Sequence, residues 1–160
     1  VAFANAQRAD GRPEALLRIP SVSLEVPVYG SVSEINLNRG AGLIDGIQPL
    51  IEGGNAGIAA HRDGFFRALK DISVDGVLYV DFRGATRRYR IVDLRIVAPE
   101  DNSVLAPTGV PSVTLVTCYP FYYVGSAPQR FIVRAELDEA GPSNGSPEGQ
   151  SLQVNNWRQL

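Results

Sequence analysis

TLVTCYPFYYVGSAPQRFIVR, residues Thr114 to Arg134, reads as two strands joined by a long loop. The first, Val113 to Cys118, is β-branched and bounded upstream by Pro111. The second begins at Phe131, where Phe131, Val133, Ala135 and Leu137 alternate with more polar positions. Paired antiparallel in the simplest symmetric register, they set Cys118 opposite Arg130, with Cβ atoms roughly 5 Å apart. The one cysteine of the chain is then expected beside a guanidinium at a sheet rim.

Upstream, Gly57-Ile58-Ala59-Ala60-His61 reads as a short buried strand ending in the only histidine. Asp63 suits the N-cap of a one- or two-turn helix through Phe65, Phe66 and Leu69. If the three strand ends point the same way, the ends carrying His61 and Cys118 and the start carrying Arg130 share one rim, where the loops of a strand scaffold usually carry function.

The rest of the chain reads as more short strands. Leu16 to Tyr29 alternates at Val22, Leu24, Val26 and Val28, but Pro20 and Pro27 lack an N–H. This element belongs at an edge or is broken in two. Ser31 to Arg39 makes a short helical turn, capped by Ser31 or Ser33 and followed by Gly40. Val77 to Phe82 and Arg88 to Val97 form a hairpin about Arg83-Gly84, with Tyr89, Ile91 and Asp93 on one side and Val92, Leu94 and Ile96 on the other. Ala98 to Ser112 is a proline-rich connection with an apolar patch at Val104-Leu105. Many short strands with scant helix indicate an all-β barrel or sandwich. One domain is expected over residues 14–138, after a linker at 1–13 and before a polar, flexible tail at 139–160 in which Trp157 has no evident role.

A net charge of −2 argues against a nucleic-acid partner. No run approaches the roughly 20 apolar residues of a membrane helix. The chain contains no methionine, so we expect an N-terminal targeting or anchoring segment to have been removed. A single cysteine allows no internal disulfide, and such a thiol is either a small buried hydrophobe or a nucleophile.

As a trio, Cys118, His61 and Arg130 suit acyl transfer. The thiolate attacks a carbonyl, the guanidinium faces the oxyanion, and the imidazolium protonates the leaving amine. With ordinary thiol and imidazole pKa values of about 8.5 and 6.5, roughly 1% of such a pair is thiolate plus imidazolium near pH 7.5. A bell-shaped rate profile with its maximum at about pH 7–8 is expected. Each residue also has a plainer reading. His61 is then a hydrogen-bonded strand-end histidine, Arg130 a carboxylate's partner, and the Tyr119, Phe121, Tyr122 and Tyr123 cluster loop packing.

Thr114-Leu115-Val116-Thr117-Cys118 resembles the Thr-Leu-x-Thr-Cys signature of the sortases, cysteine transpeptidases of bacterial cell surfaces. The family's arginine starts the strand after the cysteine, as Arg130 does, and its histidine follows an upstream strand, as His61 does. The stretches His61-Arg62-Asp63-Gly64-Phe65-Phe66-Arg67 and Cys118-Tyr119-Pro120-Phe121 look most like class D sortases and their proteobacterial relatives. The similarity runs from about Leu16 to Leu137.

The resemblance implies a closed eight-stranded β-barrel with a few short helices, in a membrane-anchored extracytoplasmic enzyme. It implies cleavage of a Leu-Pro-x-Thr-Gly- or Leu-Pro-x-Thr-Ala-like sorting signal after the threonine, through a Cys118 thioester, and transfer to an amine acceptor. Arg130 then stabilises the oxyanion, His61 moves the proton, and Thr117 orients the substrate. Val104 and Leu105 are expected to floor the peptide pocket, with Ala59 and Ala60 beneath. No tryptophan-bearing lid precedes His61, which disfavours pilus assembly. The Ala98 to Ser112 connection is too short for the long helix that another class inserts there. No cofactor is expected; calcium stimulation occurs in some relatives but needs clustered carboxylates, which Glu100 and Asp101 alone do not supply. Two alternatives stay open: a cysteine hydrolase on the same barrel, and a catalytically silent extracytoplasmic barrel that binds peptide or glycan.

Overall fold

A computed structural model of the chain describes residues 11–121 and 127–138. Residues 1–10 of the linker expected at 1–13, Tyr122 and Tyr123, and the tail with Trp157 lie outside the described residues. Eight strands form a closed barrel in the spatial order β1-β2-β3-β4-β7-β8-β6-β5. They are β1 (Ala15–Ile19), β2 (Leu24–Tyr29), β3 (Ala41–Leu43), β4 (Asn55–Ala59), β5 (Val77–Phe82), β6 (Ala85–Val97), β7 (Ser112–Tyr119) and β8 (Gln129–Leu137). Among the described residues, two short helices, α1 (Glu34–Arg39) and α2 (Gln48–Glu52), and three 3₁₀ segments fill the connections.

Period-two alternation decides what goes inside. Leu17, Val26, Leu43, Ile58, Val80, Ile91, Leu115 and Val133 are fully buried and meet at the barrel axis, with Phe66 and Leu69 of the Phe65–Asp71 3₁₀ segment packed among them. Closure leaves no strand edge to protect.

The prolines resolve as a break. Pro20–Val22 forms a 3₁₀ turn ending at left-handed Ser23, and the chain re-enters the sheet as β2. The edge alternative does not hold, because Pro27 pairs with Leu16 inside the closed barrel. Its missing N–H is tolerated because β3 engages β2 only at Val28 and Tyr29. Helix α1 is capped by Ser33, whose side chain accepts from the Asn36 N–H, and is followed by Gly40. Asp63 is not a cap: the 3₁₀ segment that follows starts after Gly64 with no side-chain cap bond. Strand β6 begins earlier than its alternation indicated, at Ala85, and is not one continuous ladder. Its register shifts between Ile91 and Asp93, so the extra residue turns Leu94 toward the same core as Ile91.

Between β1 and β5, Arg18 donates to both carboxylate oxygens of Asp81, at 2.8 and 3.0 Å, and Thr86 donates to Asp81 Oδ1 at 2.6 Å. The Arg18 hydrogen bond, aided by Thr86, holds the Asp81 carboxyl below the usual carboxylate range against a smaller opposing desolvation. A depressed carboxyl stabilises the fold above its unfolded pKa and loses that contribution as pH falls through the folded value. Both side chains are about one-third exposed. Asp81→Asn is therefore expected to cost about 1 kcal/mol at neutral pH. Urea titrations should show the gap from the parent closing below about pH 4. An equal gap at pH 2 and pH 7 would contradict this.

Candidate active site

Three adjacent strands, β4, β7 and β8, carry the site. Strands β4 and β7 run parallel, with Asn55 beside Ser112 and Ala59 beside Val116. Strand β8 lies antiparallel on the other side of β7, with Thr114 opposite Arg134 and Cys118 opposite Arg130. The register read from residues 114–134 is the one observed.

Alternation fixes which way each side chain faces. Val113, Leu115 and Thr117 point inward; Thr114, Val116 and Cys118 point out. Cys118 is half-buried and its thiol is free. The candidate peptide groove is therefore on the outer wall near the barrel end, not a recess in the barrel mouth, because residues of the opposite parity already fill the interior. Arg130 shares the outward face, with Cα atoms of the Cys118–Arg130 pair roughly 5 Å apart. His61 lies just past the end of β4, as far beyond Ala59 as Cys118 lies beyond Val116. The Ala60 N–H bonds to the Val116 carbonyl at 3.2 Å and carries the pairing toward that end. Parallel neighbours are about 4.8 Å apart, so the imidazole-bearing and thiol-bearing residues lie at the same end of adjacent strands.

Each member has its own support. His61 Nε2 lies 3.5 Å from Glu34 Oε1 of α1, with the imidazole 40% and the carboxylate 77% exposed. Arg130 Nη1 donates to the carbonyls of Ala127 at 3.3 Å and Gln129 at 2.9 Å, folding the guanidinium against its own connection. Beneath the Cys118–Arg130 pair, Tyr119, Phe121 and Phe131 pack ring to ring at 5.4 to 6.2 Å between centroids. The Tyr119–Pro120 peptide is cis.

Two of the expected pocket residues face elsewhere. Thr117 is 2% exposed, and its hydroxyl donates to the Ala60 carbonyl at 2.8 Å. It ties β7 to the end of β4 and has no open path to a ligand in the groove. Ala60 itself packs in the core. Both have inward parity, so neither floors the groove. Ala59, Val104 and Leu105 do belong to the outer face. The Asn102–Leu105 3₁₀ turn lies over it and buries Val104. A Cβ added to Gly57 would meet Leu105 Cδ2 at 2.8 Å and Ile44 Cδ1 at 2.9 Å, so these two side chains rest directly on the strand. A cavity of about 330 Å³ opens beside Leu105, Asp45, Gln48 and Pro107, toward the Asn55 end of the same face. A larger hollow of about 480 Å³, lined by Glu14, Asp81, Arg83 and Thr86, lies at the β5–β6 turn and includes none of the three.

Asp101 spends its carboxylate on the N–H and hydroxyl of Ser103, which hold it below its ordinary pKa range. Among the described residues no three His, Cys, Asp or Glu side chains group as a metal site. Asn55 and Arg134 were not singled out from the sequence, and Thr114 was read only as part of the Thr-Leu-x-Thr-Cys signature. The signal was present in the parity that Thr114 and Arg134 share with Cys118 and Arg130.

A small closed barrel with a cysteine and an arginine facing each other at one strand end, and a histidine on the parallel neighbour, defines a narrow class of protein. A sortase domain model matches residues 17–138, and the chain belongs to the sortase family. Sortase D of Bacillus subtilis is 30% identical over 124 residues, covering 77% of this chain and 63% of that protein. Sortase A of Bacillus anthracis is 28% identical over 125 residues, covering 76% and 58%. Among solved structures, sortase A from Corynebacterium diphtheriae superposes with a TM-score of 0.74 at 28% identity, covering 88% of this chain and 67% of that one. The chain spans only 53 to 63% of the length of the relatives it matches in sequence.

Proposed function

We propose that this chain is the catalytic domain of a cysteine transpeptidase that cleaves a Leu-Pro-x-Thr-Gly- or Leu-Pro-x-Thr-Ala-like sorting signal after the threonine and transfers the acyl group to an amine. The observation that carries this reading is the shared end and shared face of Cys118, Arg130 and, on the parallel neighbour, His61.

The Cys118 thiolate adds to the threonine carbonyl, and the developing oxyanion is met by donors of Arg130. As the carbon–nitrogen bond breaks, His61 gives a proton to the departing amine and leaves a thioester on Cys118. The incoming amine attacks that thioester, His61 takes its proton, and the sulfur departs as thiolate. The wall formed by Ala59 and Leu105, with Val104 buried behind it, supports a role in receiving the apolar leucine and proline of the signal. The chemistry requires no cofactor. In this reading the domain works on the extracytoplasmic face of a bacterial membrane, anchored through a segment outside the present chain, with surface-protein sorting signals as partners.

The test is mass spectrometry of the protein with Leu-Pro-x-Thr-Gly and Leu-Pro-x-Thr-Ala peptides, with and without triglycine. The expected result is a thioester mass on Cys118 without acceptor and a ligated peptide with it. Free acid alone would assign a hydrolase. Absence of both thioester and product would leave a binding barrel.

A further inference from the structure

The connection that walls the groove is held by side chains from three different strands. Asn55 of β4 is 7% exposed and uses its whole amide. Its Nδ2 donates to the carbonyls of Val104 at 3.1 Å and Ala106 at 3.0 Å, and its Oδ1 accepts the Thr114 hydroxyl at 2.6 Å. From β8, Arg134 Nη2 donates to the same Val104 carbonyl at 2.9 Å. Thr114 is fully buried and is the residue that pairs with both Gly57 and Arg134. One carbonyl of the β6–β7 connection thus takes two nitrogen donors, one of them charged, from opposite sides of β7. The Asn55 amide, with both donors and its acceptor used, is fully satisfied and rigidifies what it holds, while the buried Arg134 Nε has no hydrogen-bond partner among the described residues. Leu105, next in sequence, is seated on the bare backbone of Gly57.

We propose that Asn55, Thr114 and Arg134 form a clamp that pre-sets the Val104–Leu105 wall of the peptide groove before substrate arrives, making them positioning residues for the acyl donor and not for the amine. The clamp rests on the transpeptidase reading only for the identity of the peptide. Where a binding-competent state is only partly populated, apparent affinity falls by that fraction, so loosening the wall raises peptide KM. It leaves the thiol chemistry at the other end of the groove intact. The Thr114–Arg134 pair lies four residues, roughly 13 Å, along β7 from Cys118.

The decisive comparison is parent against Arg134→Met, which keeps an apolar stem but removes the charged donor, with the near-isosteric Thr114→Val as second variant. Amide hydrogen exchange should accelerate selectively at residues 104–106, and peptide KM should rise roughly tenfold in Arg134→Met, in line with one lost charge-assisted hydrogen bond. The kcat, the KM for the amine and the rate of Cys118 alkylation by a small reagent should stay within about twofold of the parent, because none of them samples the clamp. Arg134→Lys, with a donor but no fork, should fall between parent and Met. Exchange that rises evenly over the barrel, or an unchanged peptide KM alongside faster exchange at 104–106, overturns the clamp. A parent that makes neither thioester nor product overturns the transpeptidase reading instead. The exchange pattern then decides alone whether the wall is clamped.

Discussion

Cys118→Ala is expected to abolish thioester formation and to reduce peptide turnover by roughly 10⁴-fold or more, as loss of a nucleophile does in enzymes that act through one. The chain has a single cysteine, so labelling by a thiol reagent should vanish in the same variant. Folding should survive. Cys118 sits half-buried at the outer end of β7, and the interior there is filled by Thr117 and Leu115. A thermal melt within a few degrees of the parent would separate loss of chemistry from loss of structure. Turnover by the alanine protein at the parent's rate would remove the nucleophile from the mechanism and the proposed function with it.

Arg130→Met carries the second-largest expected effect. Removing one preorganised donor to an oxyanion typically costs roughly 10²–10³-fold in kcat. The guanidinium is the charged group standing opposite the thiol on β8. Lysine should recover only part of the loss, since a compact ammonium cannot hold the Ala127 and Gln129 carbonyls and face the groove with the same fork. Single-turnover measurement of acylation, with peptide KM determined alongside, checks the assignment. A change confined to KM would make Arg130 a support for the β7–β8 connection and not a stabiliser of the transition state.

Much of this site was legible from local pattern. The alternation of Phe131, Val133, Ala135 and Leu137 against a β-branched partner strand was enough to set Cys118 opposite Arg130, and the observed register agrees. A one-residue slip would have turned every side chain of β8 to the wrong face, which is why such a register is strongly specified. A break at the prolines, as one of two options, and a cap at Ser31 or Ser33 were readable for the same reason, each depending on a single residue's backbone chemistry; the structure selected the break and Ser33.

Other features escaped because they depend on partners distant in sequence. Thr117 stands beside the cysteine and read as a substrate contact, yet parity and the Ala60 carbonyl turn it inward. Asp63 had the right side chain for a cap, but the following segment tightened into a 3₁₀ turn after Gly64. Arg87 is 1% exposed with its guanidinium over the Phe82 ring at 5.3 Å, a burial no charge pattern announces. The shift in β6 could not be seen either, since either parity of Ile91 and Leu94 is apolar enough to read as a strand.

By itself, the sequence determined most of the strands, though not β3 (Ala41–Leu43) or the start of β6, together with the reactive residue types and their placement at strand ends, because these follow from period-two hydrophobicity and from proline, glycine and capping chemistry within a few residues. Only the tertiary structure decided that the groove lies on the outer wall, that Thr117 and Ala60 face away from it, and that Asn55, Thr114 and Arg134 converge on one carbonyl. Those outcomes depend on how a closed sheet divides inside from outside, and on hydrogen bonds between residues tens of positions apart, which no local pattern encodes.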